Sequence, residues 1–159
     1  MKYKLLLIAA LLLSFTAVDA KKKKQKPDLF PNGEPIPAWF NDTARVSLDT
    51  LGKQYVITDY GVRRDSTIVQ TAAIQAVIDR AAEQGGGVIV IPEGTFLSGS
   101  LFFKQGTHLC VKEGGKLKGS DRIANFKILE TRMEGQTLNY FAALVNADGL
   151  NGFTITGPG

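Results

Sequence analysis

The chain has 159 residues, 44% hydrophobic and 21% charged, a globular composition sized for one domain or for part of a larger one. Its formal charge of +4 is a local matter: without residues 1–26, 12 basic residues stand against 14 acidic ones, which argues against a nucleic-acid-binding surface. The single cysteine, Cys110, excludes an intramolecular disulfide.

Residues 1–20 carry Lys2 and Lys4, then an apolar run from Leu5 to Leu13, then the small-residue stretch Val18-Asp19-Ala20. This is the pattern of a secretory signal peptide cleaved after Ala20, and it predicts a secreted or periplasmic protein. The apolar run is too short for a comfortable bilayer span of about 20 residues. A lysine cluster directly after such a run is also the mark of a cytoplasmic flank. With no cysteine near Ala20, a lipid-modified cleavage site is not expected. KKKKQK (Lys21 to Lys26) reads as a solvated linker or as a tether for a polyanion.

Residues 21–54 form a lysine-rich and proline-rich extended segment, with Trp39 and Phe40 as surface anchors after Pro27, Pro31, Pro35 and Pro37. Asn41-Asp42-Thr43 fits a glycosylation sequon, which has meaning only in a eukaryotic secretory pathway. YVITDYG (Tyr55 to Gly61) alternates as a short strand before a glycine turn. Ile74, Val77, Ile78 and Ala81 then fall at i, i+3, i+4 and i+7, predicting an amphipathic helix from about Thr67 to Gln84. Asp65, Ser66 or Thr67 would cap its start, and Gln70, Asp79, Arg80 and Glu83 lie largely outside the stripe.

Three glycines follow, Gly85-Gly86-Gly87. A phosphate cradle needs the order strand, glycine loop, helix, so that the anion meets the helix N-terminus. Here the glycines follow the negative, C-terminal end of the helix dipole, and Gly85 suits the left-handed residue that ends a helix. Short strands come next: VIVI (Val88 to Ile91), TFLSG (Thr95 to Gly99), SLFF (Ser100 to Phe103), THLCV (Thr107 to Val111) and KLKGS (Lys116 to Ser120). After a stretch rich in charge and asparagine, AALVNA (Ala142 to Ala147) and FTITG (Phe153 to Gly157) resume the pattern. VIVI is apolar on both faces, as in covered parallel sheets, and between Val88 and Ser120 no Asn-Gly turn signals a tight hairpin. Stacked parallel coils meet both conditions, with the helix covering their open apolar end.

The run Asp59 to Ser120 resembles the opening of the pectin-degrading right-handed parallel β-helix enzymes, above all the polygalacturonase-type glycoside hydrolases of family 28. The resemblance rests on Tyr60-Gly61, Ala73-Ile74-Gln75-Ala76-Val77-Ile78-Asp79, Gly85-Gly86-Gly87-Val88, Pro92 with Gly94, and Ser100-Leu101-Phe102-Phe103-Lys104, with Ala147 to Gly159 similar to a following coil. It implies an all-β, right-handed parallel β-helix over residues 55–159, with a capping helix, here truncated to its first coils. It also implies inverting hydrolysis of an acidic pectic polysaccharide, with no cofactor. The same opening precedes lyases, which would need Ca²⁺ held by carboxylates plus a basic residue, and non-catalytic surface modules.

That family's catalytic carboxylates lie in Asn-x-Asp, Asp-Asp, Gly-His-Gly and Arg-x-Lys motifs several coils further on, and no residue of this chain is assigned to them. Inverting hydrolysis needs two carboxyl groups about 6.5–9.5 Å apart with water between them. The carboxylates on offer are Asp59, Asp65, Asp79, Glu93, Glu113, Asp121 and Asp148, all expected to be solvated or capping groups. No catalytic, cofactor-binding or metal-binding residue is predicted. His108 and Cys110 sit at i, i+2 on one strand face, where side chains run parallel and do not converge. Core packing is expected for Cys110 and a turn or surface role for His108, and the pair is too small for a metal cluster. A solenoid cut after a few coils predicts oligomerisation or aggregation.

Overall fold

The computed structural model describes residues 29–43 and 46–159; the signal segment and the lysine run lie outside them. The chain divides into two compact units, one ending at Thr43 and one beginning at Ala44. In the first, Leu29 bridges Pro35, and Trp39 stacks on Phe40 with ring centroids 3.8 Å apart. Both rings stay exposed, Trp39 to 69%, so the expected anchors pack on each other.

Among its described residues the second unit holds ten short strands and one α-helix. The strands are β1 (Gln54–Val56), β2 (Gly87–Ile91), β3 (Gly94–Ser98), β4 (Leu101–Phe102), β5 (Thr107–Val111), β6 (Gly115–Gly119), β7 (Ile128–Met133), β8 (Gln136–Phe141), β9 (Val145–Asn146) and β10 (Ile155–Thr156). The helix α1 is Thr71–Glu83. Parallel pairing builds three faces: β1-β2-β5-β10, β3-β6 and β4-β9. Each turn of chain therefore lays one strand on each face beside the strand laid by the previous turn. This is a parallel β-helix. Gly87 pairs with Thr107 and Gly94 with Gly115, a repeat of 20 to 21 residues.

Burial follows from that register. Ile89 and Ile91 point inward, while Val88 and Val90 point outward and are equally buried. The outward pair packs with Cys110 under Leu48, Leu51 and Val56. The solenoid packing thus begins ahead of Tyr55, where the sequence opens the domain: the 3-10 turn Leu48–Leu51 lies on β2, and Val88 N donates to the Lys53 carbonyl (2.8 Å). The stripe Ile74, Val77, Ile78 and Ala81 is fully buried in one cluster with Tyr55, Ile57, Ile89, Phe96, Leu101 and Leu109. Burying each large aliphatic side chain contributes about 1.5–3 kcal/mol, so the stripe alone fixes which face of α1 turns inward.

The helix starts later than the sequence suggests. Asp65 Oδ1 accepts from the amides of Thr67 and Ile68 and from the Thr67 hydroxyl, closing a local turn ahead of the helix. Asp65 is therefore not a helix residue, and the N-cap is Gln70, whose side chain makes no cap bond. Gln70 is buried: its amide pairs with Arg63, accepting from Arg63 N (2.7 Å) and donating to Arg63 O (2.8 Å). At the other end Gly86 N donates to Ala81 O and Gly85 N to Ala82 O, a Schellman motif with Gly85 at φ +93°. Gly86 and Gly87 serve close approach: a methyl there would strike the backbone of Gly106 and of Lys53 respectively.

On the side of each face that α1 approaches, the first coil's edge is closed by a different device. β1 pairs with β2. Val69 bridges Leu97 of β3, and Gln70 N donates to Leu97 O. On β4 a side chain stands in for a strand: Gln75 accepts from Phe102 N (2.8 Å) and donates to Phe102 O (2.9 Å). Open strand edges invite further pairing; Val69 and Gln75 occupy part of the free edges of β3 and β4, while β1 is itself an edge strand.

Beyond β6 the repeat breaks. Leu101 pairs with Val145, 44 residues on, because the chain leaves the coil between β6 and β9. That excursion contains the antiparallel hairpin β7-β8, which the sequence does not announce. Its two-residue loop is Glu134-Gly135, with φ of 50° and 84°, the type I′ geometry that Asn-Gly ordinarily supplies.

Candidate functional site

A cleft of about 480 Å³ lies on the outer side of the β3-β6 face. One wall is Ser66, Thr67 and Val69; the floor is Leu97 and Lys118; the opposite wall runs from Ser120 to Asn125. Register explains the floor. Val69 bridges Leu97 and Leu97 pairs with Lys118, so three side chains stand in a row across successive coils.

Both walls are held by their own hydrogen bonds. The Asp65 turn presents Ser66 and Thr67. The Thr67 hydroxyl and then its amide hold the Asp65 carboxyl below the usual carboxylate range. Opposite, Ser120 Oγ accepts from Asn125 Nδ2 (2.6 Å) and from Arg122 N (3.1 Å), and Ser120 N donates to Ser98 O (2.8 Å). This wall seats on Gly99, just past β3, where a methyl would fall on the Asn125 carbonyl oxygen. Lys118 and Arg122 are exposed, and among the described residues no ion pair engages either one.

Of the seven carboxylates, Glu93 and Glu113 fall in neighbouring turns, and the others lie elsewhere. Asp59 lies in a second cleft of about 420 Å³ with Tyr60 and Arg80, where the guanidinium sits 5.4 Å from the Tyr60 ring centroid. Asp79 receives Lys104 Nζ (2.8 Å) and Gln75 Nε2 (3.0 Å). Partial burial pushes its carboxyl up, but the bonds from Lys104 and Gln75 and the lysine charge prevail, so it sits below the ordinary range. Asp121 is exposed at the first cleft, and Asp148 is exposed after β9. Glu93 and Glu113 occupy stacked turns of successive coils. Gly94 N donates to Gly114 O (3.0 Å), and a methyl at Gly114 would stand 3.1 Å from Glu93 Cγ. Both carboxylates are exposed.

The Asn-x-Asp spacing does occur in the chain, at Asn146-Ala147-Asp148. Its asparagine is structural, because Nδ2 donates to Leu101 O (3.0 Å) and Ala143 O (2.7 Å), tying β9 to β4. Cys110 is buried on the outer side of β5, and burial pushes its thiol up, away from the nucleophilic thiolate. His108 is half-buried on the same side, with Nδ1 buried and unpartnered among the described residues. Among those residues no group of three or more His, Cys, Asp or Glu side chains could hold a metal ion, and no helix is long and apolar enough to cross a membrane.

Comparison with known proteins gives a consistent answer. Residues 55–147 match the family model described as rhamnogalacturonase A/epimerase, pectate lyase-like. An exo-poly-α-D-galacturonosidase of Dickeya chrysanthemi is 36% identical over 88 residues, which is 54% of this chain and 14% of that protein. Among solved structures, a hyperthermoactive exopolygalacturonase from Thermotoga maritima superposes with a TM-score of 0.60 at 30% identity, covering 66% of this chain and 23% of its own. A family 28 exopolygalacturonase of Yersinia enterocolitica gives 0.57 at 27%, covering 66% and 20%. The chain thus spans a quarter or less of the length of each of these relatives. By its match over residues 55–147, it belongs to the rhamnogalacturonase A/epimerase, pectate lyase-like family, in which it is polygalacturonase-like.

Proposed function

We propose that this chain forms the opening coils of a polygalacturonase-like glycoside hydrolase acting on an acidic pectic polysaccharide. In this reading α1 caps the first coil, and the two carboxyl groups that flank the scissile bond are supplied outside residues 1–159. The observation that carries it is the family match laid along the parallel coils β2 to β9. The placement of the seven carboxylates supports the second half: hydrolysis needs two of them facing one bond, and the stacked pair Glu93 and Glu113 is exposed and lines neither cleft. The names of the three relatives support exo action, the removal of sugar from chain ends.

The test is hydrolysis of polygalacturonate by the product of the longer reading frame and by residues 1–159 alone. Reducing sugar is expected from the first and not from the second. Activity in the short chain would overturn the placement of the carboxylates. An unsaturated, ultraviolet-absorbing product would replace hydrolysis with the lyase alternative. No turnover by the longer product, together with retained polysaccharide binding, would favour the non-catalytic module.

Export belongs to the same proposal and rests on residues 1–20. Amino-terminal sequencing of the mature protein should begin at Lys21, and a chain still carrying Met1 would overturn it. Self-association is proposed as well, because among the described residues β6, β9 and β10 each pair on one edge only. A single monomeric species in sedimentation would remove that part.

A further inference from the structure

We propose that the cleft over Val69, Leu97 and Lys118 is a non-catalytic binding site for a short stretch of uronate-bearing saccharide; the choice of sugar rests on the polygalacturonase-like reading, the existence of the site does not. The row Val69, Leu97, Lys118 crosses three successive coils. Neighbouring strands lie about 4.8 Å apart, close to the span of one pyranose ring, so a saccharide lying along the row meets one side chain per sugar. Its first two positions are apolar: Val69 is exposed and suits the C–H face of a ring, Leu97 lies largely buried beneath the floor, and Lys118 meets the next sugar as a cation. Arg122 opposite adds a second cation, with a planar fork that matches a carboxylate. Among the described residues neither cation is engaged in an ion pair, so neither charge has to be withdrawn from a protein partner. The sugar hydroxyls face Ser66, Thr67 and Asp121 on the walls. The Thr67 hydroxyl gives its proton to Asp65, which leaves its oxygen free to accept from a ligand. A cleft of about 480 Å³ takes an oligosaccharide of a few sugars and excludes a folded partner. The Ser120 bonds and the seating on Gly99 hold the wall in place before ligand arrives, which lowers the ordering cost of binding.

The experiment titrates the whole 159-residue chain with trigalacturonate, with its methyl ester, with neutral galactotriose and with inorganic phosphate. Trigalacturonate should bind, shift the amide resonances of Thr67, Ser120 and Arg122, and weaken as salt is raised. The ester and the neutral trisaccharide should bind weakly. K118A and R122A should each cost roughly tenfold in affinity, as the loss of a charge-assisted bond does. Both positions are exposed, so the variants should fold as the parent does, and R132A on the hairpin should bind as the parent does. Equal binding of the neutral sugar or of phosphate, or parental affinity in R122A, would overturn the site. If hydrolysis by the longer product is absent while trigalacturonate still binds here, the hydrolase reading fails and the site stands.

Discussion

Replacing Gln75 by leucine tests whether a side-chain amide really substitutes for a strand. Gln75 donates to the Phe102 carbonyl and accepts from the Phe102 amide, at 2.9 and 2.8 Å. Leucine keeps the bulk and removes both of these bonds as well as the one to Asp79, leaving two backbone groups of β4 without partners. An unmade bond costs about 1–3 kcal/mol when the orphaned group is fully buried. Phe102 is half-buried, so water recovers part of this, and a loss of about 2–3 kcal/mol for the pair is expected. Urea denaturation followed by far-ultraviolet circular dichroism gives the total. Tryptophan fluorescence does not serve, since Trp39, the sole tryptophan, belongs to the other compact unit. Hydrogen exchange gives the location: the Phe102 amide should lose protection while the Ile89 amide keeps it. Gln75→Glu adds a control of sign. At neutral pH its carboxylate would face the Phe102 carbonyl and Asp79, a like charge at i+4, and destabilise. In acid the protonated group can donate again, so stability relative to Gln75→Leu should recover. A Gln75→Leu chain within about 0.5 kcal/mol of the parent, with Phe102 still protected, would refute the reasoning.

Three further outcomes follow from the packing. Ile78→Ala should cost about 2–5 kcal/mol in the same urea assay, and less than about 1 would show that the helix stripe is not core. Gly87→Ala should destabilise far more than Gly85→Ala: Gly85 has open space and only its φ of +93° to defend, about 1–2 kcal/mol, whereas a methyl at Gly87 also meets the Lys53 carbonyl and the Tyr55 ring. Equal losses would mean that backbone angle alone selects the glycines. Asp79 has a folded pKa below its unfolded value near about 3.9, so its contribution is present above that pH and fades as pH falls through the folded value. With both partners more than a third exposed, it should amount to less than about 1 kcal/mol. Asp79→Asn should flatten the stability curve on the acid side, and an unchanged curve would contradict the assignment.

What the sequence reveals and what it conceals divide along contact distance. The stripe of α1 and the double burial of VIVI are legible because each is a property of neighbours in the chain, one at period 3.6 and one at period 2. The true start of α1 is not, because Asp65 spends its carboxylate on a local turn and Gln70 spends its amide on Arg63. Propensity sees a good cap there and cannot see that competition. The hairpin β7-β8 is hidden twice. Glutamate at the first loop position is an uncommon choice for a residue with positive φ, and most of the hairpin's side chains are exposed, so no strict alternation marks the strands.

The cleft is illegible for a third reason. Val69, Leu97 and Lys118 become neighbours only through the coil repeat, and no local pattern joins them. A repeat of 20 to 21 residues would have paired Leu97 with Lys118, and Glu93 with the turn at Gly114, from the sequence alone. The same ruler fails one face later, where Leu101 meets Val145 and not a residue near position 121. That failure is informative. A solenoid keeps its period only where every residue of a coil is held by the coil beneath it. The departure begins at Ser120, just past the last paired residue of β6, and there the chain forms the Ser120 knot and the Arg122 wall. The cleft therefore stands where the repeat is broken: its floor belongs to the period and one of its walls to the exception.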